Sequence, residues 1–403
     1  MRTTGIVVEY NPFHNGHAFH LSESRRVTDA DVVVAVMSGH FLQRGEPAIA
    51  DKWTRAQMAL KNGVDLVFEL PTVYATQSAQ IFAYGAVSLL EQLHSVDCLC
   101  FGSESENLQE LDALSAIMAN ESAQFKDTLH KHLKAGMAYP AALSITLAEM
   151  TPGADSQALR KPNTILGLMY MSALKQLHSP IQVHAIKRVI AAYHQQTISD
   201  PVIASATAIR KQMYNNDIRT IAPYLSDETF SVLNSTYKSP VSFEDFRDII
   251  FAKIASLDPQ ELRTYVDIEE GLEYRIKKSL NTADSIDELI TDCVSHRYTR
   301  ARLQRIIIHI MLEIKKVDAL TPPPAPYARV LGYTENGRKF LRHAKKRTSI
   351  PIIDMFGNRR HSYADIDITA TRIYSLIEAK KRFGGHTWSS LSTRDFKIPP
   401  LQL

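Results

Sequence analysis

The chain has 403 residues, of which 45% are hydrophobic and 22% charged, an ordinary globular composition with room for two or three domains of about 150 residues. No uninterrupted apolar run approaches the roughly 18 residues that a membrane span needs; Ile306 to Leu312 comes nearest, and it is short and carries His309. Net charge is only +3, but the stretch from Pro323 to Leu403 holds 15 Lys and Arg against 6 Asp and Glu, leaving 31 against 37 elsewhere. A basic tail on an acidic body fits a polyanionic partner such as RNA, or a well-solvated surface.

Cys98, Cys100 and Cys293 fit neither a disulfide framework nor a zinc site by spacing. The chain enters a strand at once, so no signal peptide is expected. A reduced cytoplasmic protein with no membrane association is expected.

The first strand is the apolar run Ile6 to Val8, ended by the turn signal Asn11-Pro12. His14-Asn15-Gly16-His17 follows, with a helix expected from about Asn15 to Thr28. Two imidazoles just past a strand's carboxyl end, at a helix start rich in free N–H groups, suit a phosphate. They could donate to phosphoryl oxygens as charge builds during cleavage between the α- and β-phosphates of ATP. Gly16 leaves room for a nucleotide close to the backbone. The plainer alternative is a pair of surface histidines.

Asp31 to Met37 is a continuous β-branched run, the pattern of a parallel strand buried on both faces. Gln43 to Pro47 is a polar loop ahead of a helix from about Asp51. Arg44 there is either an anion clamp or a partner of Glu46. Val64 to Leu70 and Val96 to Phe101 give two more strands, with a helix over Ala75 to Leu93 between them. Strands alternating with helices predict a doubly wound parallel sheet. Leu108 to Leu147 reads as an amphipathic helical cap over the active site. Leu159 to Thr164 opens another helix, in which Asn163 could be an N-cap. Ile181 to Val189 is strand-like and contains Arg188. Ser205 and Thr207 lead into a helix with Ile209-Arg210, as caps or as phosphate-binding hydroxyls.

Beyond Pro223 the pattern is helical. Arg297, Arg300, Arg302 and Arg305 form an array suited to an RNA backbone, a domain interface or plain solvation. Thr321 to Pro326 reads as a stiff linker. Short strands and basic helices after it suggest a small mixed domain. The expected units are therefore residues 1–222 (catalytic, with a cap at about 108–147), 223–320 (helical) and 321–403 (basic, RNA-binding, including Arg338, Lys345 and Lys346). On this division, a fragment from Met1 to Tyr224 should carry the ATP chemistry alone.

The first motif resembles the HxGH nucleotidyltransferases, which have a Rossmann-like sheet. Val8 to His17, Met37 to Pro47 and Phe101-Gly102-Ser103-Glu104 narrow the resemblance to the tRNA(Met) cytidine acetate ligase family, and it runs through the whole chain. The resemblance implies that ATP and acetate form acetyl-adenylate, and that the acetyl group passes to N4 of the wobble cytidine of elongator tRNA(Met). It implies His14 and His17 as catalytic. It implies nucleotide contacts from the whole segment Val7, Val8, Glu9, Tyr10, Asn11, Pro12, Phe13, His14, Asn15, Gly16 and His17, with Gly102, Asn163 and Arg188. No protein-bound metal site is implied; Mg²⁺ is expected on the phosphates and water. Ala206 stands where the superfamily usually has a second small hydroxyl residue, which weakens the carry-over there. Two other readings stay open: an adenylyltransferase with a small phosphate-bearing acceptor, and a non-catalytic RNA-binding protein.

Overall fold

The computed structural model describes residues 1–105, 107–151, 159, 161–187, 204–215, 218–236, 239–269, 271–357, 360–383 and 387–403. Arg188, and with it Arg160 of the motif from Leu159 to Thr164, lies outside the described residues.

The first half alternates strand and helix: β1 (Thr3–Val8), α1 (Asn15–Thr28), β2 (Val32–Ser38), α2 (Lys52–Lys61), β3 (Leu66–Leu70), α3 (Thr72–Ala75), α4 (Ala79–Gln92) and β4 (Cys98–Ser103). Then come α5 (Leu108–Asn120), α6 (Ala123–Lys134), α7 (Tyr139–Met150), α8 (Pro162–Gln176), β5 (Gln182–Lys187) and α9 (Ala206–Asn215). A helical stretch follows: α10 (Asp227–Thr236), α11 (Arg247–Ser256), α12 (Pro259–Leu262), α13 (Leu272–Leu280), α14 (Ile286–Cys293), α15 (Arg300–Leu312) and α16 (Lys316–Ala319). The chain ends with β6 (Ala328–Tyr333), α17 (Glu335–Ala344), β7 (Ile352–Ile353), α18 (Ser362–Phe383), α19 (Trp388–Leu391), α20 (Arg394–Lys397) and β8 (Leu401–Gln402).

These eight strands lie in one sheet, ordered β5-β4-β1-β2-β3-β6-β7, with β8 also on β6. From β5 to β3 the strands are parallel. The β-branched runs explain this burial. Along β2, Val32, Val34 and Val36 enter one core and Val33, Ala35 and Met37 the other. A fully buried aliphatic side chain contributes about 1.5–3 kcal/mol, so a strand covered on both faces favours helices on both sides of the sheet.

The order reverses between β1 and β4. These two strands pair only at Thr4↔Cys98 and Gly5↔Leu99, whereas β1 pairs with β2 along its whole length. Beyond Gly5 they part, and a crevice opens between their carboxyl ends. Ligands of doubly wound sheets bind at this topological switch point.

Two expectations need correction. The segment after the prolines does not build a sheet of its own. β6 lies antiparallel on β3, and Lys52, Glu69, Arg329 and Asp395 meet across that seam, all buried. Lys52 Nζ is 2.7 Å from Glu69 and 2.9 Å from Asp395, and Arg329 Nη1 is 2.6 Å from Asp395 and 3.4 Å from Glu69. Burial alone would raise the Asp395 carboxyl; Lys52 and Arg329 outweigh it and hold the pKa down at about 2. The linker itself is pinned, with Tyr74 Oη donating to Pro323 O (2.7 Å) and Ala325 N to Ser88 Oγ (3.0 Å). Arg329→Ala would leave two buried carboxylates to one ammonium. It is expected to cost about 3–5 kcal/mol, read as the shift in urea unfolding. A loss nearer the ~0–1 kcal/mol of an exposed pair would mean that the seam tolerates the imbalance.

The second correction concerns residues 108–147. They form α5, α6 and the start of α7, but none of them lines the crevice. α5 packs on α8, where Lys175 Nζ lies 2.7 Å from Asp112, and Tyr139 Oη reaches Gln80 of α4. They form a layer behind the helices that bound the site.

The basic residues divide as well. In the helical stretch, Arg300 pairs with Asp287, Arg302 with Asp267 (2.9 Å), and Arg305 is half-buried. The exposed Arg338, Lys345 and Lys346 belong to α17 and its end. Thr334, its N-cap, donates to Asp65 O just before β3, and its far end shares a hollow with Met1, Asp97 and Ile181. α17 thus runs along the amino edge of the sheet, opposite the crevice.

Candidate active site

The crevice encloses a cavity of about 290 Å³, at the low end of the about 300–1,000 Å³ usual for small-molecule sites. α1 begins at its floor. His14 is the N-cap of α1, with an extended backbone, and His17 is the third residue of the helix. His14 Nδ1 accepts from Gly16 N (3.0 Å), and His17 Nδ1 accepts from His14 N (3.3 Å). This is a reciprocal capping box built from two imidazoles in place of a hydroxyl and a carboxylate. The rings stack, with centroids 3.8 Å apart and planes 26° apart.

The cap has a chemical consequence. A backbone N–H can only donate, so each Nδ1 must accept. A neutral ring then carries its proton on Nε2. The backbone therefore selects, in both histidines, the tautomer that presents an N–H donor at Nε2, and both residues line the cavity. Behind them stand the buried Tyr10, edge-on to His17 at 5.0 Å, and Phe13, 4.7 Å from Tyr10. Burial raises the pKa of Tyr10 well above its ordinary value, so it stays a neutral wedge.

Gly16 is required for a reason that the motif alone does not reveal. A Cβ there would come within 2.9 Å of His14 Cε1 and 3.1 Å of its Nδ1. Gly16→Ala should push the His14 ring off its cap. Since a misplacement of about 1 Å can cost about 10²-fold, kcat for pyrophosphate exchange should fall by up to that factor. An unchanged kcat would show that the ring tolerates the displacement.

Of the expected residues, Val7, Val8, Glu9, Tyr10, Asn11, His14, Gly16, His17, Gly102 and Asn163 line the cavity. Pro12, Phe13 and Asn15 do not. Phe13 is buried in the core, and Asn15 Nδ2 donates to Pro223 O (3.0 Å). Asn163 is not the N-cap of α8, which is Lys161. Its Nδ2 donates to Glu104 Oε1 (2.5 Å), and Glu104 Oε2 accepts from Thr164 N (2.8 Å), so the end of β4 caps α8. Ser205 does cap α9, accepting from Ala208 N at 3.1 Å, and Ser205, Ala206 and Thr207 face the cavity. Arg44 lines it too, while Glu46 faces Arg210 (3.6 Å) and Gln304 (3.4 Å).

Sequence reading missed Phe82, Phe101, Leu166, Tyr170, Lys187 and Arg210 as lining residues. One signal was available. Asn163, Leu166 and Tyr170 stand at i, i+3 and i+7, one face of α8. Among the described residues, no group of three His, Cys, Asp or Glu side chains could hold a metal ion, and no helix is long and apolar enough to cross a membrane.

Comparison with known proteins places this geometry. The family model described as HIGH Nucleotidyl Transferase matches residues 1–386. A tRNA(Met) cytidine acetate ligase of Caldanaerobacter subterraneus subsp. tengcongensis is 40% identical, over 100% of both chains. One of Clostridium perfringens is 39% identical, over 94% of this chain and 96% of the other. The crystal structure of Thermotoga maritima TmcAL without ligand superposes with a TM-score of 0.90 at 32% identity, over 100% of both chains. The same protein bound with alpha-thio ATP gives 0.88, again at 32% identity and over 100% of both chains.

Proposed function

The chain belongs to the tRNA(Met) cytidine acetate ligases within the HIGH nucleotidyltransferases, and from that membership we propose that it activates acetate with ATP and acetylates N4 of the wobble cytidine of elongator tRNA(Met). The observation that carries the ATP chemistry is the imidazole pair, two Nε2–H donors preset by the backbone at the switch point of the sheet.

An acetate oxygen attacks the α-phosphate, and the bond from that phosphorus to the bridging oxygen breaks. Pyrophosphate leaves with the electron pair, and charge grows on the phosphoryl oxygens. Donors fixed before the reaction stabilise that charge without reorganising. His14 and His17 take this role. The start of α9, with Ser205 and Thr207, adds N–H groups and a favourable helix dipole. The separated ends of β1 and β4, with Gly102 and Asn163, hold the nucleoside. Mg²⁺ would enter on the triphosphate, with phosphate oxygens and water as ligands, and neutralise charge there. Among the described residues no group of three His, Cys, Asp or Glu side chains could hold the ion, which fits a metal carried in on the phosphates.

ATP–pyrophosphate exchange tests this reading. Exchange should require acetate and no tRNA, and acetylcytidine should appear in digested RNA only when tRNA is added. Exchange driven by a phosphate-bearing acceptor in place of acetate would support a plain adenylyltransferase. No exchange at all would leave an RNA-binding protein. The placement of α17 bears on the second step. An anticodon loop entering the cavity meets Arg44, Lys187 and Arg210, while α17 is left for another part of the tRNA body.

A further inference from the structure

One carboxylate inside the cavity is left unused by adenylate formation. Glu9 follows β1 at the switch point, where its main-chain oxygen accepts from Arg55 Nη1 at 2.6 Å. Its side chain lines the cavity. Gln43 N donates to Oε1 at 2.8 Å, and Ser38 Oγ approaches the same oxygen at 3.4 Å. Among the described residues, no hydrogen bond falls on Oε2. Arg55 of α2 and Arg210 of α9 face the group with positive charge. Glu46 faces it with negative charge, and the phenol of Tyr170 on α8 stands near it; His14, His17, His20, Arg44 and Lys187 line the same cavity. Burial raises its pKa above the ordinary carboxylate value, against the Gln43 N–H, Arg55 and Arg210.

A half-buried carboxylate on the cavity wall is a poor neighbour for ATP and acetate, which are both anions. It suits a ligand that arrives with hydrogen-bond donors. The acceptor base supplies one. Cytosine presents an amine at position 4, for which a carboxylate is the matching partner, whereas uracil presents a carbonyl oxygen there. The amine's lone pair is delocalised into the ring, so it attacks well only if its proton is removed as the new bond forms.

We propose that Glu9 reads the exocyclic amine of the acceptor base and takes the proton that the amine loses on acylation. This rests on the acetyl-transfer reading above. The amine nitrogen forms a bond to the acetyl carbon. The bond from that carbon to the AMP oxygen breaks, with the electron pair staying on AMP. The N–H proton passes to Glu9 and then to water.

The test uses the full chain, synthetic acetyl-adenylate and tRNA(Met) transcript in single turnover, which bypasses adenylate formation. Glu9→Gln keeps the shape and cannot take a proton. Its transfer rate should fall by about 10²-fold or more. The wild-type rate should fall with decreasing pH through a single ionisation, a limb that Glu9→Asp keeps and Glu9→Gln loses. The ATP-over-GTP preference in pyrophosphate exchange should not change. Wild-type transfer rates and an unchanged pH profile in Glu9→Gln would overturn this inference alone. So would a lost ATP-over-GTP preference, which would assign Glu9 to the adenine amine. No transfer by the wild type from acetyl-adenylate would overturn the acetyl-transfer reading itself.

Discussion

Alanine in place of His14 or His17 is expected to lower kcat for adenylate formation about 10²–10³-fold, the cost of losing one preorganised donor to a developing oxyanion. ATP affinity should change much less, because the donors act on charge that is fully present only in the transition state. The capping geometry makes the two roles of His14 separable. As the N-cap it accepts from Gly16 N, and losing a cap costs about 0.5–2 kcal/mol of stability. Asparagine also caps helices well but has no imidazole Nε2. His14→Asn should therefore keep the thermal midpoint close to wild type while losing kcat, whereas His14→Ala should lose both. Pyrophosphate exchange and thermal unfolding on the same preparations read the two effects. Wild-type exchange in His14→Asn would remove the imidazole from the chemistry and leave it as a cap alone.

That double duty shows what the sequence could and could not reveal. A strand, a turn and two histidines three apart were legible because each is a local signal. The start of α2 near Asp51 was legible as well, and there Asp51 is the N-cap, accepting from Trp53 N and Thr54 N. The run Asp31 to Met37 was legible because burial on both faces leaves no polar alternation. The layer at residues 108–147 was not. Amphipathic spacing says that a helix buries one face, not what it buries it against, and here α5 packs on α8 while Tyr139 reaches Gln80 of α4. The division within the basic tail was hidden for a related reason. A charge count treats each arginine as solvated, yet Arg329 is buried against Asp395 and Glu69, and Arg394 pairs with Glu378 and Asp51. These contacts are fixed by tertiary pairing and leave no periodic trace.

The same pairing decides what happens when the chain is cut. A fragment ending at Tyr224 is expected not to fold into an adenylating enzyme, although every cavity-lining residue among the described ones precedes that point. Without β6, β3 becomes an exposed edge, with Leu66, Val67 and Phe68 paired to β2 alone. Lys52 and Glu69 keep each other but lose Arg329 and Asp395. His40, stacked on Tyr374 at 4.5 Å, loses its cover, and Ala48 O loses the hydrogen bond from Tyr374 Oη (2.8 Å). The loop that carries Arg44 loses its support as well. Gly45 adopts a positive φ of 74° with its Cα against the backbone of Gln304 and Arg305, so closely that a Cβ would stand 2.2 Å from Arg305 N. That loop also holds Gln43, whose N–H fixes Glu9. The second half of the chain thus braces the adenylation site from behind, whatever it contributes to tRNA. Denaturant unfolding of the two chains, with pyrophosphate exchange measured alongside, tests this. The full chain should unfold cooperatively, while the fragment should show no cooperative transition and no exchange. A soluble, cooperatively folded fragment with full exchange would show that the seam between β3 and β6 joins two independent units.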